Sequence, residues 1–213
     1  MDKLIALFQS AVTFGTVIMV FRLMTDSEIS HWYEAELSEA FAPQERKPFA
    51  DIASLRAAGR YEIWGLFDEE ALLGYGALWK APEHPLVLLD YLGVTALCRN
   101  GGLGSRMLTL LKGQGRPLVV ESELPVPGAS PEENDIRRRR IGFYQRGGFC
   151  PAYEMATCGM AWQALLYDPN RLPLSQIMAA HCAIYGSERT DVQVPLTHSP
   201  APPYWMEGAH GVQ

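Results

Sequence analysis

The chain has 213 residues, of which 48% are hydrophobic and 20% are charged, a composition typical of one globular domain with tails. Its formal net charge of −6 argues against nucleic-acid binding, which needs a basic face, and fits either simple solubility or a cationic partner. The four cysteines and five histidines have no metal-ligand spacing, so we expect no metal and predict a reducing, cytoplasmic location.

The start of the chain contains an uncharged run, Leu4 to Phe21, whose 18 residues lie near the lower limit for a membrane span. Polar residues dilute this run, and no signal-peptidase pattern follows it. We therefore expect residues 1–18 to be an N-terminal extension that leads into a first strand near Val17–Met24, without a membrane partner. A membrane-tethered form would require the run to be a true span, and that alternative stays open.

Two helices and a run of strands are predicted next. The capping box Thr25-Asp-Ser-Glu28 begins the first helix, and the second follows Pro48 and stops at Gly59. The predicted strands are Tyr61–Phe67 and Ala71–Trp79, which form an antiparallel hairpin, and the apolar run Leu86–Val94.

A glycine-rich turn follows and leads into a helix with Leu103, Met107, Leu110 and Leu111 on one face. Ser130-Pro-Glu-Glu133 begins a later helix, with a capping box and a proline at the first position. The other predicted elements are the strand Pro117–Leu124, closing strands Phe149–Cys158 and Ala161–Tyr167, a last helix Pro173–Tyr185 and a Pro-rich tail over residues 187–213.

The turn reads Arg99-Asn-Gly-Gly-Leu-Gly-Ser105, and it predicts a site for a diphosphate. Glycines allow close approach of the backbone to a ligand, and free N–H groups at a helix start attract anions. A P-loop would need a lysine between Gly104 and Ser105, and a Rossmann fingerprint would need a third glycine where Met107 stands. Both nucleotide-binding alternatives are therefore weak.

The turn matches the R/Q-x-x-G-x-G/A motif of the GNAT superfamily of N-acetyltransferases, and residues 139–149 resemble the later helix of that family, which ends in Tyr and a Gly-Phe pair. The resemblance covers residues 20–167. Within the superfamily, the sequence is similar to an uncharacterised bacterial subgroup. The resemblance implies an α+β fold, with a mixed, mostly antiparallel central sheet flanked by helices and splayed between its fourth and fifth strands. It also implies a single domain over residues 19–186.

The resemblance further implies acetyl-CoA as cosubstrate and assigns its contacts. The Val94 amide would donate to the thioester carbonyl, and Tyr144 would lie near the thioester sulfur. Arg137 stands where the family often has an asparagine that contacts pantetheine. The remaining cofactor residues are Leu92 and Gly93 for the pantetheine, and Arg99, Asn100, Gly101, Gly102, Leu103, Gly104 and Ser105 for the pyrophosphate.

Catalysis needs a base, because an ammonium with a pKa near 10 is mostly protonated at neutral pH. Glu121 and Glu123 lie two residues apart on an otherwise apolar strand and so face the same way. Glu121 is the first candidate for the base and Glu123 for a substrate anchor, with Asp90 on the adjacent strand as the rival base. The alternative is that these acids form structural ion pairs with the arginines at 137–140.

The predicted function is acetyl transfer to a primary amine by direct attack on the thioester. An acyl-CoA-binding sensor or interaction module without transfer activity is the alternative. The acceptor, a small-molecule or peptide amine, is not identified by the sequence, which also leaves the acyl length and a monomer or homodimer open.

Overall fold

A computed structural model describes residues 10–14 and 17–200 of the chain. The strands are β1 (Ser10–Phe14), β2 (Val17–Leu23), β3 (Tyr61–Asp68), β4 (Ala71–Lys80), β5 (Val87–Val94), β6 (Leu118–Glu123), β7 (Cys150–Thr157) and β8 (Met160–Tyr167). The helices are α1 (Asp26–Trp32), α2 (Phe49–Ala57), α3 (Leu103–Lys112), α4 (Pro131–Arg146) and α5 (Leu174–Tyr185). The chain divides into two compact units. The first consists of the residues up to Trp79 together with Asp90–Gly113, and the second consists of Lys80–Leu89 together with the residues from Gln114 onward.

The first unit contains strands in the order β1-β2-β3-β4 and then the second half of β5. Pairing from β1 to β4 is antiparallel. A short turn at Glu69 and Glu70 joins β3 to β4, whereas α1 and α2 lie between β2 and β3. Trp32 and Leu37 at the end of the first helical segment are fully buried, and so are Leu66 of β3 and Met107 of α3. These side chains form the core on which the end of β5 is held.

Helix α1 begins at the predicted capping box. The Glu28 amide donates to the Thr25 hydroxyl at 3.4 Å, and the Thr25 amide donates to the Glu28 carboxylate at 2.7 Å. That carboxylate also accepts two hydrogen bonds from the Arg22 guanidinium at 2.7 and 2.8 Å. These bonds from Arg22 are the main reason that the pKa of Glu28 is lowered to about 2. A π-helical turn, Tyr33–Leu37, continues α1.

The second unit contains strands in the order β5-β6-β8-β7, beginning with the first half of β5. Strands β5 and β6 are parallel, and Val87 pairs with Leu118 and Leu88 with Val119. The pairs β6–β8 and β7–β8 are antiparallel. The sheet is therefore mixed and mostly antiparallel, as predicted. Helix α4 begins at the predicted Ser130 capping box, with Pro131 at its first position.

Two segments differ from the sequence-based expectation. Ser10–Phe14 lies inside the predicted extension, yet it forms β1 and pairs with β2. Residues 187–200 lie inside the predicted tail, yet they pack along β7, where the buried Asp191 accepts from the Cys158 amide at 2.8 Å and from the Arg189 guanidinium at 2.8 Å. The ion pair between Arg189 and Asp191 stabilises the packing of this polar segment, and the periodicity of apolar residues does not predict such a contact. Residues 201–213 lie outside the described residues.

The long uncharged run near the start of the sequence belongs to β1 and β2 where the structure describes it. Within the described residues, no helix has both the length and the hydropathy needed to cross a bilayer.

Candidate active site

In the first unit, β5 ends at Val94 and is followed by a turn that leads directly into α3. The Thr95 amide donates to the carbonyl of Leu73 in β4 at 3.0 Å, which fixes the strand end. A short 3₁₀ turn, Ala96–Cys98, comes next, and Gly102 is the N-cap of α3 with φ at +76°. A left-handed conformation of this kind favours glycine, so the first glycine of the R-x-x-G-x-G motif is explained by the turn itself.

The start of α3 lies beside a cation, and no side chain of the described residues caps it. Gly102 provides no side-chain cap, and the first backbone bond into the helix runs from the Arg106 amide to the Gly102 carbonyl at 3.2 Å. The Arg99 guanidinium is about half exposed and lies 3.5 Å from the Val94 carbonyl and 3.7 Å from the Glu39 carboxylate. N–H groups at a helix start and an arginine together make an arrangement that binds diphosphates.

The strand that precedes this turn carries the three predicted pantetheine contacts, Leu92, Gly93 and Val94, all half-buried. A Cβ atom at Gly93 would overlap the Tyr75 ring, at 2.7 Å from Cε1 and closer still to the ring end that carries the hydroxyl. Tyr75 is buried and packs edge-to-face on Trp32, with ring centroids 5.6 Å apart. Burial is the main reason that the pKa of Tyr75 is raised to about 12. The glycine at 93 is therefore required by the packing of Tyr75.

Asp90, the rival candidate for the base, lies in a polar cluster of the first unit. Its carboxylate accepts a hydrogen bond from the Tyr61 hydroxyl, and the Lys47 ammonium lies 3.6 Å away. The same ammonium lies 4.2 Å from the centre of the Trp79 ring. The charge of Asp90 is thus compensated within the fold.

In the second unit, Glu123 forms the ion pairs that the sequence left as an alternative. The Arg137 Nε donates to its carboxylate at 2.9 Å, and the Arg140 guanidinium lies 3.9 Å away. Arg137 also approaches the side-chain oxygen of Asn134 at 3.4 Å. Asn134 in turn bonds both the amide and the carbonyl of Val126, at 2.8 and 3.0 Å, and so fixes the loop that follows β6.

Glu121 has a different set of partners. His181 Nε2 lies 2.9 Å from Oε1 of Glu121, and the Tyr185 hydroxyl lies 2.7 and 2.8 Å from its two carboxylate oxygens. His181 is fully buried, and its Nδ1 lies 2.8 Å from the Tyr153 hydroxyl. In the part of the chain that the structure describes, no lysine or arginine forms an ion pair with Glu121. Glu121 is thus the candidate acid that is not matched by a lysine or arginine.

Tyr144, the predicted proton donor, lies near the end of α4 and is half-buried. Its ring makes edge contacts with Phe143 and Phe149, at centroid separations of 5.2 and 5.8 Å. Burial is the main reason that the pKa of Tyr144 is raised to about 12, although the charge of Arg140 opposes the shift. The hydroxyl is therefore protonated at neutral pH and is chemically able to donate.

The structure groups the predicted residues into one set in each unit. The first set is Asp90, Leu92, Gly93, Val94 and the turn residues 99–105; the second is Glu121, Glu123, Arg137 and Tyr144. Sequence reasoning missed His181 and Tyr185, the partners of Glu121. Their spacing of four residues on a predicted helix, which puts both on one face, is the signal that could have found them.

A comparison with known families matches residues 27–149 to the acetyltransferase (GNAT) family. YjbC of Bacillus subtilis (strain 168), a provisionally assigned acetyltransferase, is 31% identical over 119 residues, which are 56% of this chain and 56% of that protein. The chain thus aligns with little more than half the length of this curated relative.

Solved structures share the fold. A provisionally assigned GNAT-family acetyltransferase of Bacteroides thetaiotaomicron superposes with a TM-score of 0.57 at 24% identity, over 73% of this chain and 89% of that one. Naa50 of Arabidopsis thaliana, solved with the bisubstrate analogue CoA-Ac-MVNAL, superposes with a TM-score of 0.51 at 13% identity, over 70% of this chain and 98% of that one. The predicted α+β fold is confirmed, and with more than half of its residues matched the chain belongs to the acetyltransferase (GNAT) family.

Proposed function

We propose that this protein transfers the acetyl group of acetyl-CoA to a primary amine. The observation that carries the proposal is the turn between β5 and α3, where the uncapped helix start, the left-handed Gly102 and the half-exposed Arg99 occur together. An anion with two phosphate groups is the ligand for which this arrangement is suited. Membership of the acetyltransferase (GNAT) family makes coenzyme A the diphosphate to test first.

In this proposal the turn holds the pyrophosphate, and Leu92 to Val94 bond the pantetheine arm as an added strand would. The amine nitrogen attacks the thioester carbonyl carbon and forms the new C–N bond. Negative charge collects on the carbonyl oxygen, and the Val94 amide is the proposed donor to it. The C–S bond then breaks, and the thiolate leaves and takes up a proton.

Glu121 is the proposed base, acting directly or through water. Asp90 is compensated by Lys47, and Glu123 by Arg137, so both are poorly suited to receive a further cation. Glu121 is hydrogen-bonded to a histidine and a tyrosine rather than paired with a lysine or arginine, so its carboxylate is the best placed of the three to attract an ammonium and accept its proton. Glu123 as the substrate anchor and Arg137 as a cofactor contact stay predictions.

Tyr144 is the proposed acid for the departing thiolate. A hydroxyl whose pKa is raised to about 12 stays protonated at neutral pH and can donate a hydrogen bond to the sulfur as the C–S bond breaks. A free thiolate, with a model-compound pKa of about 8.5, is a weaker base than the tyrosinate, so Tyr144 would stabilise the charge that develops on the sulfur and regain from water any proton that it passes on.

The acceptor is proposed as a small molecule or a peptide N-terminus. The net charge of −6 favours a cationic amine over an anionic substrate. The bisubstrate analogue bound by Naa50 joins coenzyme A to a peptide, which makes peptide N-termini one class to include.

Isotope-labelled acetyl-CoA tests the proposal when it is incubated with the protein and pools of amino acids, polyamines, aminoglycosides and short peptides. Mass spectrometry should find labelled amide in at least one pool, and none when the protein is omitted. Acetyl-CoA binding without labelled amide in any pool would instead support the sensor.

A further inference from the structure

Helix α5 contributes two side chains to the carboxylate of Glu121, although it lies beyond the residues matched to the family. The match ends at residue 149, and α5 begins at Leu174. His181 and Tyr185 reach back over 60 and 64 positions of sequence to the same carboxylate. An element outside the family's common region therefore determines how the proposed base is held.

The hydrogen-bond directions around Glu121 can be assigned by elimination. A carboxylate only accepts, so the Tyr185 hydroxyl and His181 Nε2 must both donate to it when it is ionised. A neutral imidazole with its proton on Nε2 has an acceptor at Nδ1, and the Tyr153 hydroxyl at 2.8 Å is placed to donate there. All three buried groups are then satisfied, and the chain of donors ends on Glu121.

The carboxylate keeps capacity for a further donor. It has about four acceptor positions, and the two donors from α5 use two protons between them. The side chain is 13% exposed, so part of it is accessible from solvent. An ammonium has the charge and the N–H donors that the remaining acceptor positions of a carboxylate would take.

The other charged groups near Glu121 have partners of their own, so they do not take the place of His181 and Tyr185 as its donors. Glu123 shares the face of β6 and is paired with Arg137, while Ala164 of β8 lies opposite Glu121 in the register. The Arg189 guanidinium lies 5.2 Å from the centre of the Tyr185 ring and bonds the carboxylate of Asp191. Glu121 thus keeps His181 and Tyr185 as its donors, while these neighbouring charges are engaged with other partners.

We propose that His181 and Tyr185 are positioning residues, which hold the Glu121 carboxylate oriented toward the acceptor amine. The proposal rests on the proposed function, since Glu121 must be the group that receives the amine. It assigns α5 a part in acetyl transfer that the matched region of the family does not contain.

The test is a double-mutant cycle on Tyr185→Phe and Glu121→Gln, with turnover measured on the full chain. Tyr185→Phe removes one hydroxyl and should lower kcat/KM for the amine by about 10- to 100-fold, the range for a hydrogen bond to a charged group. The KM for acetyl-CoA should change by less than about twofold. In the Glu121→Gln background the same substitution should add less than about a further twofold, because its effect acts through the carboxylate.

Tyr33→Phe is the matched control, because the Tyr33 hydroxyl donates to the Lys47 carbonyl and does not contact Glu121. It should leave both kinetic constants near those of the unmodified protein. His181→Gln keeps an amide donor and should retain more activity than His181→Leu, which keeps none.

The outcomes separate the two proposals. No labelled amide from the unmodified protein would overturn the proposed function itself. An active protein in which Tyr185→Phe and Glu121→Gln lower kcat/KM by independent, multiplying factors would overturn the positioning role. Equal losses for His181→Gln and His181→Leu per folded molecule would also count against it.

Discussion

The Tyr75 ring occupies the space that a side chain at Gly93 would need. A Cβ atom there would lie 2.7 Å from Cε1 of Tyr75, and Tyr75 is only 1% exposed. The ring cannot move aside, because it packs on the buried Trp32. The glycine just before the end of β5 is therefore a requirement of the core beneath the proposed pantetheine strand.

Gly93→Ala should destabilise the fold by about 1–3 kcal/mol, the range for overpacking a filled core. Gly101→Ala is the control, because its Cβ would lie 3.6 Å from the Cys98 carbonyl, an ordinary contact. Urea unfolding of the two variants measures the difference. Equal stabilities would contradict the packing relationship between Gly93 and Tyr75.

Gly102→Ala should weaken acetyl-CoA binding more than it weakens the fold. Gly59 is a matched control, since both glycines have positive φ, +76° and +67°, and neither Cβ would meet an atom within 4 Å. Both alanine variants should lose about 1–2 kcal/mol of stability from the left-handed backbone. Calorimetry with acetyl-CoA should show reduced affinity for Gly102→Ala alone, and the turn assignment fails if the two variants bind equally well.

Tyr144→Phe should keep the edge contacts with Phe149 and remove only the hydroxyl. We expect nearly unchanged acetyl-CoA affinity and a fall in kcat of about 10²–10⁴-fold, less if water can replace the hydroxyl as the acid. Melting temperature, affinity and turnover should be measured on one preparation. Normal turnover per folded molecule would remove Tyr144 from the mechanism.

The ion pair between Arg22 and Glu28 predicts a pH-dependent contribution to stability. The pKa of Glu28 is lowered from 4.5 to about 2, so the folded state binds fewer protons than the unfolded state between these values. The contribution is complete above about pH 4.5 and is lost as the pH falls through about 2. Glu28→Gln, which also alters a helix cap, should therefore cost about 1 kcal/mol at pH 7 and less at pH 3.

Urea unfolding at the two pH values measures this effect, and Glu34→Gln on the exposed side of the same helical segment is the control. If Glu28→Gln lowers the free energy of unfolding equally at both pH values, the ion pair with Arg22 does not contribute to stability as proposed.

Local patterns predicted the elements that carry the site. The capping boxes at Thr25 and Ser130 mark the starts of α1 and α4, because they depend on side chains three residues apart. The strand β1 was not predicted, since Ser10–Phe14 lies in an apolar run without a clear period, and its pairing with β2 is a tertiary contact. The packing of residues 187–200 was missed for the same reason.

The partners of the candidate acids were predicted less completely than the acids themselves. A pairing with the arginines at 137–140 was the stated alternative, and the structure shows it for Glu123. Glu121 instead contacts His181 and Tyr185, which belong to a helix some 60 residues later in the sequence. Local sequence spacing does not predict contacts between residues so far apart in the chain. Gly93 was predicted as a pantetheine contact, and its neighbour Tyr75 explains why a glycine stands there.

The most direct test of acetyl transfer is the release of free coenzyme A thiol from acetyl-CoA, measured with and without an amine pool that yields labelled amide. The account predicts thiol release that depends on the amine, equals the amide formed and is strongly reduced in Glu121→Gln. The account would be contradicted if the protein binds acetyl-CoA but, with every amine pool present, releases thiol no faster than acetyl-CoA hydrolyses in buffer alone.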